Sequence, residues 1–211
     1  TPVSPPAGAS QCGGSVAATL ARGDTAFAAW WAMRPDSTAS LVVARSDDGG
    51  HHWGPAVTAD SADRGRTGCR RLPPSIGADS LNGYVHVVYF MQAPEGPGLF
   101  FTHSMDAGGM FHSPVAIVYG ERASTAAVSS RGDTVAVAYE DPNAAVPQVW
   151  LALSRSQGHI FEHRISVSTA SARGENPAVV VRDGAVAVAW NETGRGGGWA
   201  ATVTRVGGLR W

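Results

Sequence analysis

Three arginines recur at a constant spacing along the chain. Arg71, Arg122 and Arg173 lie 51 and 51 residues apart, each at the entry to a predicted strand. If the segments that carry them are related by rotation, their guanidinium groups point toward one axis. Together they could hold a carboxylate or a sulfate through bidentate hydrogen bonds. The alternative is that each pairs with a neighbouring carboxylate, such as Glu121 or Glu175, and clamps adjacent segments together.

Other polar and aromatic residues fall in the same set of predicted loops. Trp31 and Phe90 follow the ends of two predicted strands, where an exposed ring could stack on a sugar or a peptide. Packing in the core or between repeats is the alternative for both rings. Glu140 and Asn191 lie in two further loops of this set. We assign these four residues and the three arginines to one anion- or partner-binding face, although a solvated charged face would explain the same residues.

The histidines and cysteines do not predict a metal or haem site. The seven histidines include no His-x-His pair, and the two cysteines lack the spacing of a zinc or haem motif. We therefore expect no metal and no cofactor.

A repeated turn must position these loops. A Ser-x-Asp-x-Gly-x-x-aromatic signature, called the box below, is intact in two copies and incomplete in two more. Its residues are Ser46, Asp48, Gly50 and Trp53, then Ser104, Asp106, Gly108 and Phe111, then Ser154, Gly158 and Phe161, and finally Gly208 and Trp211. The copies start at positions 46, 104, 154 and 204, which are 58, 50 and 50 residues apart. A period near 50 residues predicts a repeat architecture.

The residue types of the box suit a turn that closes a strand. Each copy follows an apolar run, and its Ser and Asp oxygens can accept hydrogen bonds from the turn's own amides. Glycine supplies a positive φ angle without steric cost. The terminal aromatic is expected to fold back under the sheet. The third copy has Ser156 in place of Asp, and a hydroxyl or a water molecule can take over part of that hydrogen bonding.

The box resembles the Asp-box, or BNR, repeats of sialidase-like β-propellers, and the resemblance covers nearly the whole chain. It implies an all-β fold in which each box lies between the third and fourth strands of a blade, remote from the binding face. The box residues are then structural. We predict a single domain, 1–211, folded as a β-propeller of about four four-stranded antiparallel blades. The repeats run over 12–58, 69–118, 122–168 and 173–211, and residues 1–6 supply the fourth strand that closes the last blade. A fragment, or a partial ring completed by another subunit, is the alternative.

The resemblance also raises the question of catalysis. Sialidases use an arginine triad, an Asp acid/base and a Tyr nucleophile activated by Glu. Arg71-Leu72-Pro73 is similar to their Arg-Ile-Pro motif, but it follows the first box instead of preceding it. Tyr139 and Glu140 are adjacent in a predicted strand, so their side chains face opposite ways. We therefore predict no catalytic residue.

Composition and cysteine placement limit the cellular setting. The net charge of −1 gives no footprint for nucleic acid, and no apolar run approaches the ~20 residues that span a membrane. All 16 basic residues are arginine, which favours a bacterial origin. Cys12 and Cys69 occupy equivalent places before two repeats, which favours a disulfide over two unrelated thiols and an extracytoplasmic, periplasmic or secreted location. A chain that starts at Thr1 is expected to be processed or trimmed.

These observations predict a non-catalytic extracytoplasmic propeller that binds a protein partner or a glycan, as an accessory subunit of a larger assembly. The alternatives are a carbohydrate-binding module and a reduced sialidase-like glycoside hydrolase. An exposed aromatic patch on the charged face would favour the carbohydrate-binding module. A buried carboxylate beside the arginines would favour the hydrolase.

Overall fold

A computed structural model describes residues 4, 7–12, 15–182 and 185–193 and the backbone of 199–206. Within these residues the chain forms four antiparallel β-sheets. The first sheet contains β1 (Ser10–Gln11), β2 (Ala17–Leu20), β3 (Ala26–Met33), β4 (Ala39–Ser46) and β5 (Val57–Asp60). The second contains β6 (Ser75–Ala78), β7 (Val85–Ala93), β8 (Gly96–Ser104) and β9 (Val115–Tyr119). The third contains β10 (Ala126–Arg131), β11 (Thr134–Glu140), β12 (Val149–Ser154) and β13 (His163–Ser166), and the fourth contains β14 (Arg173–Arg182), β15 (Ala185–Thr193) and β16 (Trp199–Val206).

The strands lie where the repeated apolar runs predict them, and within each sheet they pair in chain order. In the first sheet β1 and β2 both pair with β3, so they act as one interrupted edge strand. The observed strands extend beyond the apolar runs, because the antiparallel ladders continue to the connecting turns. For example, the ladder between β3 and β4 continues as far as Met33 paired with Ala39.

Neighbouring sheets meet along their first strands. Ser75 Oγ of β6 accepts a hydrogen bond from the backbone N–H of Val128 in β10 (3.2 Å). Ser129 Oγ of β10 accepts an equivalent bond from Val181 N–H in β14 (3.0 Å). Small residues permit this close approach, since a Cβ atom on Gly77 would lie 3.1 Å from the carbonyl oxygen of Val128. Apolar clusters then fill the spaces between the first and second, second and third, and third and fourth sheets.

The antiparallel order separates two faces of the molecule. The box face carries the box turns and the hairpin turns before the second strands, which touch where Gly49 N–H donates to Asp24 C=O (2.7 Å). The loop face carries the turns between the second and third strands and the connections between sheets. These segments also touch one another, because Arg64 N–H donates to Gln92 C=O (2.8 Å).

The predicted disulfide is confirmed, with an S–S distance of 2.06 Å between Cys12 and Cys69. It ties the start of the first sheet to the connection that leads into the second. Within the described residues, no helix has the length and apolar character needed to cross a membrane.

Ring closure stays a prediction. The described part of the fourth sheet has three strands. The segment predicted to complete it, residues 1–6, lies outside the described residues except for Ser4. Gly208 and Trp211 of the last box also lie outside them.

Candidate functional site

The three described box turns share one hydrogen-bonded frame. The hydroxyl of each box serine accepts from the amide of the box glycine four residues later, at 2.9 Å for Gly50, 2.8 Å for Gly108 and 3.1 Å for Gly158. All three box serines are buried. Each turn is therefore fixed from inside the protein by a single hydroxyl oxygen.

The second polar position of the box organises the outer part of the turn. Asp48 Oδ1 accepts from His52 N–H (2.8 Å), and Asp106 Oδ1 accepts from Met110 N–H (2.9 Å). In the third box Ser156 Oγ accepts the equivalent bond from Ile160 N–H (3.1 Å). The hydroxyl thus replaces the carboxylate in this role. The amide and ring of His52, with the Ser46 hydroxyl, hold the pKa of the Asp48 carboxyl well below its usual value.

The box aromatics fold back under the sheets. Trp53 packs against a cluster of the first sheet that contains Trp30 and Val42, Phe111 packs against the cluster between the first two sheets, and Phe161 packs against the next cluster. Phe161 meets Phe101 edge to face, with ring centroids 5.0 Å apart. These contacts support the structural role that the sequence predicts for the box.

On the loop face, Arg71 is held in a buried ion pair. Its Nη2 lies 2.5 Å from Asp63 Oδ2, and the two side chains are 5 % and 3 % exposed. Asp63 also accepts from the amides of Ala39 (3.4 Å) and Gln92 (3.1 Å). The Arg71 guanidinium lies 5.7 Å from the centre of the Trp31 ring. Arg71 thus joins the connection between the first two sheets to both of them.

The other two recurring arginines also have local partners. Arg122 Nη2 donates to the carbonyl of Asp141 (2.6 Å), and Arg173 forms an ion pair with Glu175 (2.5 Å). Arg173 therefore has one of the carboxylate partners that the clamping alternative names. Convergence of the three arginines on one anion stays a prediction.

The two aromatic candidates differ in exposure. Trp31 is 1 % exposed and donates from Nε1 to Leu72 C=O (3.0 Å), so it is a core residue and not a surface platform. The residues on both sides of Trp31 are apolar, and β3 is buried along almost its whole length. Phe90 is half-buried and lines a cavity on the loop face. Its ring therefore remains a candidate for ligand contact.

Glu140 and Asn191 are positioned by the third and fourth sheets. Glu140 Oε1 accepts from Thr125 Oγ1 (2.7 Å) and from Asn176 N–H (2.8 Å), so it links the two sheets. Asn191 is exposed in β15. The neighbouring Tyr139 is buried, and burial raises the pKa of its hydroxyl to about 12. Tyr139 packs in the cluster between the second and third sheets, whereas Glu140 contacts Thr125 and Asn176, so the two side chains have different surroundings.

The loop face contains a cavity of about 400 Å³ between the connection that leads into the second sheet and the end of β7. Its lining combines one aromatic ring, the Arg71–Asp63 pair and polar backbone: Asp63, Gly65, Thr67, Arg70, Arg71, Leu72, Phe90, Met91, Gln92 and Ala123. Arg64, Arg66 and Arg70 are exposed on the same connection. Sequence reasoning placed Arg71 on this face, but it did not show that the buried Asp63 carboxylate pairs with it.

The box face contains a cluster of three histidines that come from two sheets. His103 is the penultimate residue of β8, His112 follows the second box, and His159 lies in the third box turn. One nitrogen from each ring lies within 4.8 Å of the others. Burial, with the neighbouring histidines, lowers the pKa of His103 to about 4. Spacing along the chain did not indicate this cluster, because the three residues meet only in the folded protein.

A scan of family models and a search of curated proteins find no match to this chain. Solved structures do match. A Hadza microbial sialidase has a TM-score of 0.61 at 18 % identity, and the match covers 90 % of this chain and 44 % of the sialidase chain. An intramolecular trans-sialidase from Ruminococcus gnavus has a TM-score of 0.54 at 14 % identity, covering 82 % and 37 %. An α-L-arabinofuranosidase from Fusarium graminearum has a TM-score of 0.55 at 14 % identity, covering 89 % and 64 %.

These similarities define the class of fold. The chain has a sialidase-like fold, which agrees with the resemblance of its box sequences. It spans less than two thirds of the length of each of these three proteins. At identities below 20 % the likeness concerns the fold alone.

Proposed function

We propose that this protein is a non-catalytic extracytoplasmic binding domain whose macromolecular ligand is an acidic glycan. The observation that carries the proposal is the loop-face cavity, where the Phe90 ring and the exposed guanidinium of Arg70 line the same space. An aromatic ring can pack on the apolar face of a sugar, and an arginine can hold its carboxylate through paired hydrogen bonds.

The charge around the cavity supports an anionic ligand. Arg64 and Arg66 are exposed beside Arg70, whereas the Asp63 carboxylate is buried against Arg71. The side of the connection that faces solvent therefore presents cationic groups.

The extracytoplasmic location is supported by the Cys12–Cys69 disulfide, because such bonds persist in oxidising compartments. A glycan that carries carboxylates is a ligand expected there.

The absence of catalysis is supported by how the polar groups of the cavity are occupied. The two oxygens of Asp63 accept from the Arg71 guanidinium and from the amides of Ala39 and Gln92. These contacts occupy both oxygens of the Asp63 carboxylate from inside the protein. Arg71 in turn donates from Nε and Nη2 to Asp63 and from Nη2 to Gly65 C=O. Both groups stabilise the protein and leave recognition to the exposed arginines.

Calorimetry with 3′-sialyllactose and with lactose tests the proposal, because the two sugars differ by one carboxylated residue. We expect binding of sialyllactose only, weakened roughly tenfold by Arg70→Ala and weakened by salt. Arg22→Ala removes an exposed arginine from the box face and should change nothing. Equal binding of both sugars, or equal effects of both variants, would contradict the proposal.

A reduced glycoside hydrolase is the second candidate. Asp63 favours it, because it is a buried carboxylate beside a recurring arginine. Prolonged incubation with 3′-sialyllactose distinguishes the two functions. Release of free sialic acid, abolished by Asp63→Asn in a protein that still folds, would establish the hydrolase and exclude the non-catalytic proposal.

A further inference from the structure

The histidine cluster on the box face is a built arrangement and not a chance group of surface rings. His103 is 3 % exposed, and its buried Nε2 has no hydrogen-bond partner. A buried polar atom without a partner carries a free-energy cost, so its presence calls for a ligand or another compensation. His112 and His159 are both exposed, and their ring centroids lie 4.4 and 4.6 Å from that of His103.

The backbone fixes two of the rings relative to each other. His112 N–H donates to His103 C=O (2.9 Å), so the two residues face each other across the hairpin that holds the second box. The Thr102 hydroxyl also donates to His112 C=O (2.6 Å). The rings of His103 and His112 stack with centroids 4.4 Å apart. The two imidazoles are therefore presented as a pair.

The third ring comes from the next sheet with a defined tautomer. His159 Nδ1 lies 2.7 Å from the Ser156 carbonyl oxygen, which can only accept a hydrogen bond. Nδ1 therefore carries a proton, and in the neutral imidazole the lone pair is on Nε2. A backbone carbonyl that orients a histidine in this way is the usual support of a metal-ligating imidazole. The ring lies edge-on to His103, with centroids 4.6 Å apart.

We propose that His103, His112 and His159 form a binding site for a first-row transition-metal dication such as Zn²⁺, which joins the second and third sheets. Three neutral imidazoles suit zinc, copper or nickel, whereas calcium and magnesium prefer oxygen ligands. Three protein ligands leave a fourth position of the metal open to solvent.

The geometry requires only side-chain movement. The ligand nitrogens now lie within 4.8 Å of one another. Ligands about 2.0 Å from a tetrahedral zinc ion lie about 3.3 Å apart. His112 and His159 are exposed and can rotate about their side-chain bonds to close this gap, while His103 stays in place.

Zinc titration of the untagged protein tests the proposal, with calorimetry for stoichiometry and thermal unfolding for linkage. We expect one Zn²⁺ per chain and a melting temperature that rises with zinc concentration and returns to its starting value with a chelator. His159→Gln and His112→Gln should each weaken zinc binding at least about tenfold, the scale of loss already seen when an outer-shell partner of a zinc ligand is removed. Magnesium at the same concentration should have no effect.

His51→Gln is the matched control, because His51 occupies in the first box the position that His159 occupies in the third. It should leave the zinc affinity unchanged. Absence of stoichiometric binding would overturn the proposal. It would also be overturned if His51→Gln weakened binding as much as His159→Gln, because zinc would then bind surface histidines without a defined site. All three substituted rings are exposed, so the variants are expected to fold.

Discussion

Two junctions between neighbouring sheets on the box face carry different side chains but have the same backbone hydrogen bonds. His103 and His112 lie between the second and third sheets, one residue before and eight residues after the serine of the second box. His159 lies at the same junction, five residues after the serine of the third box. At the same box offsets, the junction between the first and second sheets has Arg45, Gly54 and Gly109. These three line an open cavity of about 560 Å³.

The hydrogen bonds behind these side chains are the same at both junctions. Gly54 N–H donates to Arg45 C=O (2.8 Å), as His112 N–H donates to His103 C=O. The backbone of the turn depends on the first serine, on the Asp or Ser two residues later, on the glycine and on the aromatic residue. The residue types at the other positions of the box can vary. One repeat can therefore keep an open cleft where the next gathers three imidazoles. The four predictions below test this separation of frame and variable positions, from the largest expected effect to the smallest.

Removal of the disulfide is expected to have the largest effect, because the Cys12–Cys69 bridge links the start of the first sheet to the connection that leads into the second. The Cys12–Cys69 bridge spans 57 residues, and in the chain-entropy model it contributes roughly 4 kcal/mol. Denaturant unfolding of the double serine variant should show a loss of about this size. Hydrogen exchange should increase mainly in the first sheet. Equal increases at both junctions would indicate that the sheets are stabilised as one unit.

Substitution of the box glycines is expected to have the second-largest effect, and the loss of stability should differ between the two junctions. Gly158 has a φ of 94°, and a Cβ atom there would lie 2.5 Å from the Phe101 ring. Gly50 has the same φ but only Trp53 within reach, at 3.6 Å. Gly158→Ala should therefore cost about 3 kcal/mol of unfolding free energy, and Gly50→Ala about 1 kcal/mol. Similar losses in denaturant titrations would show that backbone strain, and not packing between sheets, dominates.

Exchange of the polar residue of the box should have a smaller effect. Asp106→Ala removes the acceptor of the Met110 amide at an exposed site, so we expect a loss of about 0.5–1 kcal/mol. Ser156→Asp restores the intact signature in the third box and should not lower stability. A stabilising Asp106→Ala would show that the carboxylate is retained for binding and not for the turn.

The pH dependence of that same carboxylate is the smallest expected effect. Hydrogen bonds from Ser104 and from the Met110 amide lower the pKa of Asp106 below its usual value of 3.8. A lowered carboxyl pKa stabilises the folded state above the unfolded pKa, and this contribution is lost as the pH falls. The stability difference between the protein and Asp106→Asn should be constant from pH 8 to 5 and should shrink below about pH 4. An undiminished difference at pH 3 would exclude this explanation.

The sequence alone predicted the elements that depend on local chemistry. The box signature placed a turn after the third strand of each repeat, and it assigned the hydrogen bonds of Ser104 and Asp106. It also allowed a hydroxyl to replace the carboxylate, as Ser156 does. The equivalent positions of Cys12 and Cys69 were enough to predict their disulfide. All these inferences need only a repeat period and the preferences of residues within a turn.

The tertiary structure decided which side chains meet across sheets. Trp31 follows a strand in the same way as Phe90, yet it is buried because Arg71 and the connection before the second sheet cover its ring. His103 and His159 lie 56 positions apart, and the box period alone does not give the distance between their rings. A repeat period fixes which residues are equivalent. The contacts between non-equivalent residues depend on how far each sheet is rotated against the next, and that rotation is set by packing of the whole core.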